Sequence, residues 1–102
     1  MTSANEFTVV ECAVRQLHAR YADAIWRKDF DSFADCFTPD CEWLLSSGAV
    51  LRGRDAIQAG IKANLARFTR MLVTVRTPIV QIEKDGSVSC RVYLTEQAAF
   101  LD

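Results

Sequence analysis

The chain has 102 residues, half of them hydrophobic and a quarter charged, with a formal net charge of −1. That length holds one domain, residues 1–102, with one modest core. Lys and Arg are spread along the chain, which excludes the basic stripe of a nucleic-acid binder. No stretch nears the ~18 uninterrupted apolar residues of a membrane helix. Met1–Phe7 lacks the basic start and apolar run of a secretory signal, so a cytoplasmic protein is expected.

Phe7 to Cys12 reads as a helix start. Thr8 is placed to cap it, Glu11 to close a capping box, and Phe7 and Cys12 to form a hydrophobic staple. Val10, Val14, Leu17, Tyr21 and Ile25 recur at helical spacing, with Glu11 and Arg15 as an i, i+4 pair on the other side. The pattern predicts a helix over 8–27. Asp29 or Asp31 caps a short second helix with Phe30, Phe33, Ala34 and Phe37 turned inward, and Pro39 stops it. Cys41 to Leu45 is a strand start, Ser46-Ser47-Gly48 a turn and Val50-Leu51 a brief extended piece. Gly53-Arg54-Asp55 opens a third helix with Ile57, Ile61, Leu65 and Phe68 on one stripe.

After Phe68 the period changes. Arg70 to Gln81 is rich in Val, Ile, Leu and Thr, with Pro78 marking a bend or a sheet edge. Lys84-Asp85-Gly86 is a hairpin signal. Val88, Cys90, Val92 and Leu94 alternate with Ser89, Arg91, Tyr93 and Thr95, as in a half-buried strand. Three helices followed by antiparallel strands make an α+β plan, with the helices packed on one face of a curved sheet.

The four cysteines, Cys12, Cys36, Cys41 and Cys90, contain no C-x-x-C pair, and His18 is the sole histidine. Neither a metal site nor a cofactor is expected, and the thiols are expected to be reduced and packed. A catalytic cysteine would need a base, and His18 stands on a separate helix.

The segments RYADAI, KDFDSFADCFTPD, LRGRDAI and LVTVRTPIVQIEKDGSVSCRVYL, in that order, resemble the SnoaL-like domains of the nuclear-transport-factor-2-like, or ketosteroid-isomerase-like, superfamily. The resemblance implies a cone-shaped, cystatin-like fold: three N-terminal helices on a curved antiparallel sheet, with an apolar pocket at the mouth. It also implies two further strands after this point, whereas the chain ends at Ala98-Ala99-Phe100-Leu101-Asp102 within an apolar segment. The last strands are thus expected to be missing. Self-association as a homodimer is expected too, checked by the mass in light scattering.

Enzymes that share this resemblance use an Asp after the first helix, a His at a later strand start, or a base past the acid of the turn. Those positions fall on Trp26, Met71 and Leu45. Tyr21 falls where the isomerases hold an oxyanion-binding tyrosine; packing in the core with a satisfied hydroxyl is the alternative. Tyr21, Trp26, Trp43, Leu45 and Met71 are therefore the expected ligand-binding residues, with no catalytic residue assigned. Asp23 is expected to face solvent and Asp40 to order its turn; His18 and Arg70 are minor candidates, and Glu42 shares its strand with Trp43 on alternating faces.

Three functions stay open. The first is a protein binding a small apolar ligand without the usual acid–base dyad. The second is a dehydratase, cyclase or isomerase, that is, a lyase or isomerase working by proton transfer on a small carbonyl or hydroxyl compound. The third is a structural relative of the small subunit of aromatic-ring dioxygenases. None involves a nucleic acid or a membrane.

Overall fold

Lys28 turns the chain out of the long first helix, and everything that follows packs back from that corner. The computed structural model describes residues 3–100. Helix α1 runs Ala4–Arg27, and Lys28 takes a left-handed conformation (φ 52°) while its N–H closes on the carbonyls of Ala24 and Ile25. A non-glycine residue in that region is held there by its surroundings. Here the Lys28 ammonium donates to the Phe68 carbonyl at 2.7 Å, tying the end of α1 to the start of a strand 40 residues on.

The start of α1 differs from the expectation. The helix begins at Ala4, with Ser3 as its cap: the Ser3 hydroxyl accepts from the Glu6 N–H at 3.1 Å. Ser3-Ala4-Asn5-Glu6 has the S-x-x-E spacing of a capping box, and it takes the role assigned to Thr8 and Glu11. Thr8 lies within the helix and donates to the Ala4 carbonyl, and Glu11 pairs instead with Arg15 at 3.0 Å, as the spacing predicts. Ser3→Ala should lower stability by about 1 kcal/mol in denaturant melts. No change would mean that the first turn frays in either case.

Helix α2 (Phe30–Ala34) is capped by Asp29, whose carboxylate accepts from the Ser32 N–H and hydroxyl. Strands β1 (Glu42–Leu44) and β2 (Val50–Arg52) form a small antiparallel pair, with Trp43 opposite Leu51. Helix α3 (Arg54–Leu65) starts from Gly53 at φ 88°, a conformation that favours glycine. The Arg54 guanidinium reaches back to the Phe37 carbonyl, which fixes α3 against the loop after α2. Ile57 and Leu65 are buried along the predicted stripe, but Phe68 is the first residue of a strand, because the helix stops at Leu65.

Strands β3 (Phe68–Val75) and β4 (Ile79–Ile82) run out, and β5 (Val88–Arg91) and β6 (Leu94–Phe100) return antiparallel to them around the Lys84–Gly86 turn. Val75 pairs with Leu94 and Ile79 with Arg91, so three residues (76–78) oppose two (92–93). Arg76 N–H donates to the Tyr93 carbonyl across this bulge. The extra residue flips side-chain parity on the outgoing strand. Met71, Val73 and Val75 and then Val80 and Ile82 can thus face the same way, and Pro78 lies buried at the bend where the sequence marks one.

The core lies between α1, α2, α3 and β3, around Phe33, Ile57 and Leu65, each 1% exposed. The outer half of the hairpin packs on the helices chiefly where β4 meets α1, and β5 packs chiefly on β4. Strand β5 is therefore exposed throughout, not half-buried as its alternation suggests. Of the cysteines expected to be packed, Cys36 and Cys41 are half-buried and Cys12 and Cys90 exposed. Leu101 and Asp102, in the terminal apolar segment, lie outside the described residues, as do Met1 and Thr2.

Candidate functional site

Strand β6 pairs antiparallel with β3, with Ala98 opposite Met71, Glu96 opposite Val73 and Leu94 opposite Val75. Since alternate residues share a face, Glu96 stands on the side of buried Met71 and Val73, where, exposed like the rest of β6, it borders the space beneath the helices. A cavity of about 310 Å³ opens there. Helix α1 supplies Tyr21 and Ile25, and α3 supplies Ile57, Gly60, Ile61 and Asn64. The remaining walls are Trp43, Leu45, Leu51, Met71 and Glu96. An apolar cavity of about 150 Å³ already takes benzene, so this one has room for a ring and its substituents.

Four of the five expected ligand-binding residues, Tyr21, Trp43, Leu45 and Met71, meet on this cavity. Trp26 does not. It follows buried Ile25 on the helix, so it turns outward, stays 46% exposed and lies under the Arg70 guanidinium at 5.7 Å from the ring centroid. The alternation of β1 sends Trp43 inward and Glu42 outward, where it pairs with Arg52 at 2.6 Å. Asp23 pairs with Arg27 on the exposed side of α1, as its helical position predicts.

Gly60 keeps the wall open. A Cβ there would come within 3.1 Å of Leu51 Cδ1, and any larger side chain would extend into the cavity. Tyr21, Phe33, Phe37 and Trp43 form one aromatic cluster, with ring centroids 5.2–6.5 Å apart, which anchors Tyr21 and Trp43 from behind.

Glu96 is the residue the sequence reading missed. The even-numbered alternation through Val88, Cys90, Val92 and Leu94, carried one step further, puts Glu96 on the inward face. Its charge acts on Tyr21. Burial, then the Glu96 carboxylate, then Cys36 push the phenol from its ordinary 10.0 up to about 12. Tyr21 thus remains a hydrogen-bond donor at any physiological pH. Stability should be whole below pH 10.0 and fall as pH rises toward about 12, because the unfolded chain loses this proton first. Tyr21→Phe should flatten that alkaline limb in denaturant melts. An unchanged limb would mean that the phenol titrates as freely in the folded protein as in the unfolded chain.

A larger groove of about 620 Å³ runs between Lys28–Asp31 and α3, but charges of both signs line it and Gln58 bridges to Asp31 across it. Small-ligand sites are mostly apolar with a few placed polar groups, which describes the Tyr21–Glu96 cavity. Among the described residues no group of three or more His, Cys, Asp or Glu side chains converges as a metal site. Among the described residues no helix is long and apolar enough to cross a membrane.

Comparison with known proteins adds three findings. A family model described as a SnoaL-like domain matches residues 10–101. A comparison with curated protein sequences finds no match. Among solved structures, Aln2 from a Streptomyces species is 32% identical with a TM-score of 0.79, over 96% of this chain and 69% of that one. A protein from Novosphingobium aromaticivorans, provisionally assigned as a scytalone dehydratase, has a TM-score of 0.88 at 14% identity, over 98% of this chain and 67% of that one. A Caulobacter vibrioides protein of cystatin-like fold has a TM-score of 0.73 at 27% identity, over 82% of this chain and 60% of that one.

Proposed function

The chain belongs to the SnoaL-like domain family, and on that premise we propose that its cavity binds a small, mostly apolar compound through a carbonyl or hydroxyl oxygen. One observation carries the reading: a phenol held protonated, Tyr21, and a carboxylate, Glu96, line the same mostly apolar cavity, where Asn64 is the other polar side chain. The phenol donates to the ligand oxygen. Trp43, Leu45 and Met71 enclose its apolar body.

Glu96 also favours a second reading, the dehydratase, cyclase or isomerase type. The expected base positions hold Trp26, Leu45 and Met71, none of which moves protons, but a carboxylate reaches the cavity from β6. A proton drawn from the carbon beside a ligand carbonyl breaks one C–H bond and forms one O–H bond on Glu96. The resulting enolate oxygen accepts the Tyr21 hydrogen bond.

Acetophenone tests the binding claim, because it presents one ring and one carbonyl. Quenching of Trp43 emission, read in a Trp26→Phe background, should saturate with ligand. Tyr21→Phe should weaken binding about tenfold, the worth of one well-made hydrogen bond. Saturation with equal affinity in both proteins would remove Tyr21 from the site, and no saturation at all would remove the proposal.

A further inference from the structure

We propose that Asn64, held by Arg67, is a second hydrogen-bond donor in this cavity, and that the ligand accordingly carries a second, uncharged oxygen acceptor. The inference rests on the binding reading above and extends it to the ligand's other polar group. Asn64 lines the same cavity as Tyr21 and Glu96 but has no part in what those two do.

Helix geometry puts the Asn64 side chain on the cavity. Ile57, Gly60, Ile61 and Asn64 follow one another at helical spacing on α3, and all four line it. From Ile57 to Asn64 is nearly two full turns, so the two side chains leave the helix in almost the same direction. The side chains of Ile57 and Ile61 are apolar, and an Asn is a poorer helix former than a Leu in their place. Gly60, one turn earlier, adds no side chain to crowd the amide.

Only one end of that amide is engaged. The Arg67 guanidinium donates to Asn64 Oδ1 at 2.7 Å. It also lies over the ring of buried Phe68, 5.1 Å from the centroid, which holds it in place. The oxygen therefore turns to the cation, and Nδ2, with its two N–H groups, has no partner among the described residues. A cation on the oxygen polarises the amide and strengthens its N–H as a donor. A ligand atom that meets it must accept.

Glu96 limits the charge of that atom. A ligand carboxylate would share a mostly apolar cavity with a second negative charge. A ligand hydroxyl can donate to Glu96 instead. A carbonyl or ester oxygen does neither, and it suits the Asn64 N–H. The ligand class is thus a ketone bearing a second neutral oxygen acceptor.

Two matched pairs test this, read by the same quenching of Trp43 in the Trp26→Phe background. They are meta-diacetylbenzene with meta-isopropylacetophenone, and para-diacetylbenzene with para-isopropylacetophenone. The isopropyl compounds copy the shape and lack the second oxygen. For the isomer whose second oxygen reaches Asn64, the affinity ratio within the pair should fall about fivefold in Asn64→Leu, the worth of one hydrogen bond. It should fall at least as far in Asn64→Asp, which keeps the tie to Arg67 but has no N–H to offer. Arg67→Leu should lower it too, because a freed amide can turn either end to the ligand. Asn64 and Arg67 are both exposed, so none of these substitutions removes a core side chain.

The proposal is overturned if both ratios survive Asn64→Leu. It is equally overturned if a ratio lost in Asn64→Leu is kept in Asn64→Asp, since a carboxylate cannot donate. A ratio unchanged in Arg67→Leu would overturn the part given to Arg67. Failure of acetophenone itself to bind would instead remove the underlying reading of the cavity.

Discussion

Phe33→Ala is expected to bring this domain close to unfolding at ordinary temperature. Phe33 is 1% exposed and touches Tyr21, Phe37 and Trp43 with ring centroids 5.3, 5.2 and 6.3 Å away. Its removal forfeits the transfer energy of the ring and leaves a cavity behind it, together about 3–5 kcal/mol. A domain of this size has about 5–15 kcal/mol in all, so the midpoint of thermal unfolding should fall by about 20 °C. The loss reaches the site as well, because Phe33 backs Tyr21 and Trp43, two aromatic walls of the cavity. Near-ultraviolet circular dichroism should report loosened packing of Trp43 and Tyr21 even where helical signal persists. A shift of only a few degrees would mean that α2 collapses onto the vacated space, and that the aromatic cluster is not what braces the site.

Glu96→Gln is expected to cut proton exchange at the methyl group of bound acetophenone by about 10²–10⁴-fold, the usual contribution of a placed general base. The exchange is followed by loss of the methyl proton signal in deuterated solvent. Affinity for acetophenone should change little, since Tyr21 rather than Glu96 meets the carbonyl. The same substitution removes the second of the three causes that raise Tyr21, so the tyrosinate absorbance should appear below the native value of about 12. These two readouts separate the alternatives. A fallen Tyr21 pKa with unchanged exchange would place Glu96 beside the site without a role as base, and the protein would then be a binding domain. If the wild-type protein supports no exchange above solvent, the same conclusion follows directly.

Much of the architecture was legible because it rests on local rules. The Tyr21–Ile25 stripe, the Asp29 cap, the Ile57–Leu65 stripe, the Pro78 bend and the Lys84–Gly86 turn all appear where their residue types place them. The error at the start of α1 had a local remedy, since Ser3 and Glu6 stand at capping-box spacing just ahead of the Thr8 signal. The exposure of β5 had none. Alternation reports which residues share a face and not whether anything covers it, and β5 packs chiefly on β4.

Trp26 and Glu96 mark the limit most clearly. Counting along aligned segments put Trp26 in the pocket, but one residue's step from Ile25 is a 100° rotation about the helix axis, and that rotation sends it out beneath Arg70. Glu96 lay in the sequence between Thr95 and Gln97, with nothing local to set it apart from them. Its importance comes from β6 pairing with β3 across some two dozen residues, which sets it opposite Val73 and beside a helix whose Tyr21 is 75 positions away.

Residue type and spacing alone therefore settled the α+β class and the order and most bounds of the elements, while the expectation of a cavity at Tyr21, Trp43, Leu45 and Met71 came from the resemblance. The class and the elements follow from periodicity, capping and turn chemistry, which act over a few residues. The tertiary structure alone decided that Glu96 joins Tyr21, Trp43, Leu45 and Met71 on one cavity and that Trp26 does not. Those outcomes depend on strand register and helix rotation, where a shift of one residue exchanges the inside for the outside.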